Sequence, residues 1–128
     1  AKVVEKYPGL ILNLAHFGGA GQLEAALDNR NDETLWSNRI IALLKDDRCN
    51  VYTDVSCFTD FRILKKLTDS LVYEEIKEKI LYGSDYTLLL LFEDNFNKNV
   101  QQFKDNFGSD FDLIAGTNPR RFLQYMMD

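Results

Sequence analysis

Three short apolar runs recur along the chain, and each of them ends in polar residues. The first runs from Leu10 to His16, the second from about Asn50 to Cys57, and the third from Lys79 to Ser84. The first run is apolar at nearly every position, which is typical of a strand buried on both faces of a parallel sheet. The runs therefore predict three strands of one sheet.

Apolar residues at helical spacing separate and follow these strands. Two stripes lie between the first and second strands: Leu23, Ala26 and Leu27, and then, after Asn31-Asp32 as a possible cap, Leu35, Trp36, Ile40, Ile41 and Leu44. Between the second and third strands come Phe61, Leu64, Leu67 and Leu71 and a short segment from Tyr73 to Lys79. After the third come Phe96, Val100, Phe103 and Phe107, a stop at Gly108, and a helix from Asn118-Pro119 that carries Phe122, Leu123 and Met126. This β-α-β-α-β-α order predicts an α/β fold with parallel strands and right-handed crossovers.

Length and charge limit the functions open to such a fold. A chain of 128 residues fits a single domain, and its 15 Lys and Arg against 20 Asp and Glu argue against nucleic acid or an anionic membrane as partner. Cys49 and Cys57 lack CxxC spacing, so we expect neither a zinc knuckle nor a disulfide framework, and a cytoplasmic location fits best. The apolar run from Leu88 to Phe92 is far shorter than the roughly 20 residues of a membrane span.

The polar residues that end the strands collect at one edge of the predicted sheet. They are His16, Asp54, Ser56 and Asp85. Parallel α/β folds place their functional sites at the carboxyl ends of the strands. This edge is therefore the predicted site of chemistry.

His16 and Asp85 are the strongest candidates for that chemistry. His16 is the only histidine of the chain, so it suits a single metal ligand or a general acid-base, although a histidine bonded to backbone is the structural alternative. Asp85 could ligate a metal or accept a proton, or cap a turn. Asp54, within a strand, suits a supporting role, or a bond to neighbouring backbone or to an arginine.

The glycine-rich turn after the first strand offers a different hypothesis. Gly18, Gly19 and Gly21 stand where a helix begins, and glycines let backbone N–H groups approach an anion there. The turn matches neither GxGxxG nor a Walker loop. A small domain that binds an anion or nucleotide without catalysis is the competing prediction, and a tight turn without a ligand is the structural one.

The strand-end segments, taken in order, resemble the amidohydrolase superfamily. They are Tyr7-Pro8-Gly9-Leu10 with Leu14-Ala15-His16-Phe17-Gly18-Gly19, then Val51-Tyr52-Thr53-Asp54-Val55-Ser56, then Ile80-Leu81-Tyr82-Gly83-Ser84-Asp85-Tyr86, and finally the segment 115–123. More narrowly, the chain is similar to the amidohydrolase-related branch that contains aminocarboxymuconate-semialdehyde decarboxylase.

This resemblance implies a TIM-type barrel in which His16, Ser56 and Asp85 end strands six, seven and eight. Asp85 would then be a metal ligand and proton acceptor, and His16 would polarise or protonate a small-molecule substrate. The metal would be divalent, with zinc preferred and manganese as the second choice. Asp54 and Ser56, together with Gly18 and Gly19, would shape the site.

The chain also departs from the family pattern. The His-x-His pair of the first strand and the histidine of strand five have no counterpart, Thr87 stands where a proline often follows, and the run from Leu88 to Phe92 is additional. We therefore expect residues 1–128 to be the carboxyl-terminal part of a barrel, inactive and without bound metal alone. A missing amino-terminal segment or self-association would complete it. A degenerate barrel that serves as a scaffold is a further alternative.

Overall fold

The computed structural model describes residues 2–7, 9–85, 87 and 96–124, and the statements that follow concern these residues. Three parallel strands form one sheet in the order β1-β2-β3. They are β1 (Leu12–Leu14), β2 (Val51–Asp54) and β3 (Ile80–Leu81). Asn13 pairs with Tyr52, and Thr53 pairs with Ile80. The predicted α/β class with parallel strands is thus confirmed.

Helices precede, connect and follow the strands. They are α1 (Lys2–Lys6), α2 (Ala20–Asp28), α3 (Trp36–Lys45), α4 (Phe61–Thr68), α5 (Leu71–Ile76), α6 (Phe96–Phe107) and α7 (Asn118–Gln124). Short 3-10 turns cover Ala15–Gly18, Lys77–Lys79 and Gly108–Asp110, and a π-helical turn covers Leu113–Thr117. Among the described residues, no helix has the length and apolar character that crossing a membrane requires.

Successive residues of β2 face opposite sides of the sheet. Val51 and Thr53 are fully buried on the side where β2 contacts α3. Tyr52 faces the other side, where its ring meets Phe122 of α7 edge-on at 5.2 Å between centroids. The helices therefore cover one face of the sheet, and α7 covers part of the other.

One hydrophobic core runs from α1 to the π-helical turn. Its fully buried large side chains include Phe17, Leu23, Ile41, Leu44, Leu64, Leu67, Ile76, Ile80, Phe103 and Ile114. The apolar stripes predicted for α2, α3, α4 and α6 supply most of them. Helical spacing therefore identified these core positions correctly, but it did not identify Phe17, Ile76 or Ile114.

The strands are shorter than the sequence predicts. The residues predicted to end them turn away from extended geometry, because φ is positive at His16, Phe17 and Cys57. The backbone N–H groups of His16 and Phe17 bond to side chains of β2 instead of continuing a strand ladder, at 3.2 Å to Asp54 and 3.1 Å to Thr53. Beyond β1, hydrogen bonds to polar side chains thus take the place of the backbone hydrogen bonds of a longer strand.

Several predicted helix details are wrong. Asn31-Asp32 does not cap α3, since Leu35 holds the cap position and Asp32 accepts hydrogen bonds from Thr34. Trp36 is then exposed on the first turn, and Leu71 is 90% exposed because α4 ends at Thr68 and a new helix begins at Leu71.

The last helices differ in smaller ways. On α6, Asn99 rather than Val100 shares the fully buried face with Phe103. The stop at Gly108 is confirmed, and φ there is +53°. Leu123 is exposed. Met126 and the run from Leu88 to Phe92 lie outside the described residues.

Candidate functional site

The carboxyl edge of the sheet brings together the four polar residues that the sequence singled out. His16 follows β1, Asp54 ends β2 and Ser56 follows it, and Asp85 follows β3. The crossovers place these groups, far apart in the chain, on adjacent parallel strands. The structure adds two residues, Asn13 and Cys57, that the sequence analysis did not place at this site.

Asp54 is the centre of the hydrogen bonds at this edge. Its Oδ1 accepts from Ser56 Oγ at 2.6 Å, lies 2.9 Å from His16 Nδ1, and also accepts from the backbone N–H groups of His16 and Ser56. Its Oδ2 accepts from Asn13 Nδ2 at 2.7 Å. Burial alone would raise the pKa of the Asp54 carboxyl, but the hydrogen bonds from Ser56 and Asn13 and the nearby His16 hold that pKa below its usual value. Asp54 is therefore an anion that positions its neighbours.

The same network assigns the tautomer of His16. Nδ1 lies 2.8 Å from Ser56 Oγ as well as 2.9 Å from Asp54 Oδ1. Since the Ser56 hydroxyl donates to Asp54, Nδ1 must carry the proton and donate to both oxygens. In this tautomer the neutral form of the ring carries its lone pair on Nε2, and 38% of the side chain is exposed. Nε2 is the atom available to a ligand.

This geometry differs from that of a nucleophilic serine triad. In such a triad one ring nitrogen contacts the serine and the other contacts the carboxylate. Here Ser56 and Asp54 share Nδ1, and the Ser56 proton already points to Asp54. Ser56 therefore supports Asp54 and His16 and is not activated as a nucleophile.

Cys57 and Asp85 form a second contact at the same edge. The Cys57 thiol donates to Asp85 Oδ2 at 2.5 Å. Burial raises the pKa of the Cys57 thiol to about 11, with further contributions from the bond to Asp85 and the negative charges of Asp85 and Asp54. Cys57 is therefore a protonated thiol near neutral pH.

His16, Cys57 and Asp85 together form a set of candidate metal ligands. One donor atom from each of the three lies within 4.8 Å of the other two, and all three residues are half-buried. Imidazole, thiolate and carboxylate are the three ligand types that zinc uses in proteins. The donor chemistry therefore fits a divalent transition metal.

The backbone at these three residues is unusual. Among the described residues other than glycine, φ is positive at His16 (+55°), Phe17 (+53°), Cys57 (+58°) and Asp85 (+43°). Left-handed geometry costs a residue with a Cβ roughly 1–2 kcal/mol, and such strain gathers at functional sites. Three of these four residues are the candidate ligands.

Three glycines hold the surrounding turns. At Gly18, φ is +80° and a Cβ would lie 3.1 Å from Trp36 Cβ. Gly19, with φ of +115°, is the N-cap of α2 and donates its N–H to His16 O at 2.7 Å. A Cβ on Gly83 would lie 3.0 Å from Ser56 Cβ, so Gly83 allows the loops after β2 and β3 to approach. Turn geometry and packing account for Gly18 and Gly19.

Asn13 and Cys57 differ in whether the sequence could have predicted their place at this site. Asn13 is the one polar residue between Leu10 and Ala15, and an amide inside such an apolar run signals a buried or edge contact. Cys57 offers no such signal, because its partner Asp85 is 28 positions away. Only the pairing of β2 with β3 brings them together.

A separate cleft of about 320 Å³ lies between the ends of α2 and α3 and the start of α5. Its charged groups include Arg30, Lys45 and Glu75, and Lys45 forms an ion pair with Glu75. Burial lowers the pKa of Arg30, and the charge of Glu75 opposes that shift. The cleft contains none of the carboxyl-edge residues.

Comparison with protein-family models, with curated proteins and with solved structures found no match. The functional argument therefore depends on the site itself and on the sequence motifs.

Proposed function

We propose that the carboxyl edge is part of the active site of a metal-dependent hydrolase or decarboxylase of the amidohydrolase type. The substrate would be a small carboxylate, amide or ester. One observation carries the proposal: His16, Cys57 and Asp85 converge within 4.8 Å on left-handed backbone at the end of parallel strands. Strained, convergent ligand groups at this edge are typical of a catalytic centre.

The chain's own residues have distinct tasks in this proposal. His16 Nε2 and the Asp85 carboxylate would hold the metal or contact the substrate, and Asp85 would accept a proton. Asp54 fixes the orientation and tautomer of His16 through Nδ1, and Ser56 supports Asp54. A divalent metal bound here would polarise a carbonyl or activate water.

The architecture is consistent with the last third of a TIM-type barrel. The three parallel strands follow one another in chain order with helical crossovers, as strands six to eight of such a barrel do. His16 is the only histidine of this sequence. The further histidines of the amidohydrolase pattern would come from other parts of the protein or from a partner.

The test is metal-dependent turnover by the intact protein before and after Asp85→Asn. This substitution removes a carboxylate charge at the proposed centre with little change in size. We expect turnover of small carboxylates, amides or esters in zinc or manganese to fall by at least about 1000-fold, or about 4 kcal/mol of barrier.

Asp47→Asn is the matched control, because Asp47 is exposed and precedes β2 at the opposite edge of the sheet. It should leave turnover unchanged. Circular dichroism of both variants would establish that the fold persists. Full activity in a folded Asp85→Asn variant would exclude this centre as the active site.

A further inference from the structure

We infer that Cys57 is a third metal ligand, and that His16, Cys57 and Asp85 suffice to bind zinc in this chain without further histidines. The inference rests on the proposed function only in placing the metal at the carboxyl edge. It goes further by naming the ligand set and the metal. Cys57 follows β2 as His16 follows β1 and Asp85 follows β3, each within four residues of the end of its strand.

The separations suit zinc. Zn–S bonds are about 2.3 Å and Zn–N and Zn–O bonds about 2.0–2.2 Å, so the ligand atoms of a tetrahedral site lie about 3.6 Å apart. One donor atom of each residue, with either nitrogen of the His16 ring counted, already lies within 4.8 Å of the other two. Small side-chain rotations would therefore bring the three donor atoms to the separations of a tetrahedral site.

The direct contact between Cys57 and Asp85 must open when the metal binds. Cys57 loses its proton to solvent, the Sγ–H···Oδ2 bond breaks, and an Sγ–metal bond forms. No electron changes hands. The positive ion replaces the proton between the thiolate and the Asp85 carboxylate, which now lie 2.5 Å apart as donor and acceptor. The cation therefore takes the place of a hydrogen bond that the protein already makes.

The identity of the ligands selects the metal. A thiolate and an imidazole favour zinc over manganese or magnesium, which prefer oxygen ligands. In this chain alone, three protein ligands would leave one position of a tetrahedral ion open, as in catalytic rather than structural zinc sites. The hydrogen bond from His16 Nδ1 to Asp54 would complete a carboxylate–histidine–metal arrangement, in which the carboxylate orients the histidine that binds the metal.

Cobalt reports directly on a thiolate ligand, because a cysteine sulfur bound to Co²⁺ gives an intense near-ultraviolet charge-transfer band. We would titrate the chain with Co²⁺ and then displace it with Zn²⁺. The wild-type chain should show the band, and excess Mn²⁺ should not displace the cobalt. Cys57→Ser should abolish the band and weaken zinc binding by more than about 100-fold, beyond the cost of losing an outer-shell partner.

Cys49→Ser is the matched control, since Cys49 is also a half-buried free cysteine but precedes β2. It should keep the band and the affinity. A band that survives Cys57→Ser, or a wild-type chain that binds no Zn²⁺, would overturn the inference. Either result could coexist with loss of turnover in Asp85→Asn, so this inference and the proposed function can fail separately.

Discussion

Single residues at the carboxyl edge hold conformations that their side chains disfavour. His16, Cys57 and Asp85 all have positive φ although each carries a Cβ. Hydrogen bonds hold this geometry at His16, because both its N–H and its Nδ1 bond to Asp54. At His16 the strain is thus compensated by the same contacts that orient the side chain.

Glycine should therefore be better tolerated than alanine at position 16. Both His16→Gly and His16→Ala remove the imidazole, so the difference between their free energies of unfolding reports the cost of the backbone conformation alone. We expect the glycine variant to have a free energy of unfolding about 1 kcal/mol larger in urea titrations.

Position 24 is the control, because the backbone there is an ordinary α-helix and alanine should be more stable than glycine. Glu24 is exposed within α2, and there Glu24→Ala should be about 1 kcal/mol more stable than Glu24→Gly. The same order at both positions would show that His16 is not held in left-handed geometry.

At the scale of elements, the segment after β3 is attached to the helices by polar contacts as well as by aromatic packing. The Tyr73 hydroxyl of α5 donates to Asp110 Oδ2 at 3.1 Å, and Lys77 Nζ lies 3.3 Å from the same oxygen. Burial first, and then the charge and hydrogen bond of Asp110, raise the pKa of Tyr73 far above its usual value. Glu74 adds to this effect, and Lys77 is the cation that faces Asp110.

This contact predicts a loss of stability in alkali. The pKa of Tyr73 is higher in the folded than in the unfolded state. Its contribution to the free energy of unfolding is therefore fully present below pH 10 and decreases as the pH rises above 10. Tyr73→Phe should lower the free energy of unfolding by about 1 kcal/mol near pH 8. Its deficit relative to the wild type should shrink above pH 10.

Denaturant titrations at several pH values would measure both effects. Tyr7→Phe is the control, since Tyr7 is exposed near the end of α1. Its stability should follow that of the wild type at every pH. A constant deficit of Tyr73→Phe up to pH 11 would contradict the prediction.

At the scale of the whole molecule, the sheet has an open side. Among the described residues β1 pairs only with β2, and Asn13 is exposed on the face that α7 covers only in part. An unpaired parallel edge strand offers backbone groups to another chain. Among the described strands, the β1 edge is therefore a candidate surface for pairing with another chain.

We expect this chain to self-associate through the β1 edge when it is studied alone. Sedimentation velocity should show oligomers whose fraction rises with concentration. Trp36→Ser serves as the control for association through an exposed aromatic side chain, because Trp36 lies on α3 and not on the sheet. A monomer at all concentrations would contradict the prediction, as would association that Trp36→Ser abolishes.

The sequence by itself determined the α/β class, the order of the elements and most of the core. These follow from local periodicity, which apolar positions such as Leu23, Ile41 and Leu64 record directly. The carboxyl edge was also predictable, because parallel strands must end together. The cap of α3 and the exposure of Leu71 could not be predicted. Where one helix ends and the next begins depends on local turns that compete with helix formation, such as the turn in which Asp32 accepts from Thr34.

Only the tertiary structure decided which groups at that edge touch. Cys57 and Asp85 meet through the pairing of β2 with β3, and Asn13 reaches Asp54 through the pairing of β1 with β2. The positions of these residues along the chain do not reveal the contacts, because the contacts depend on which strands pair and in which register. The left-handed backbone at His16 and Cys57 has the same origin, since contacts across the sheet override the preference of each residue for extended geometry.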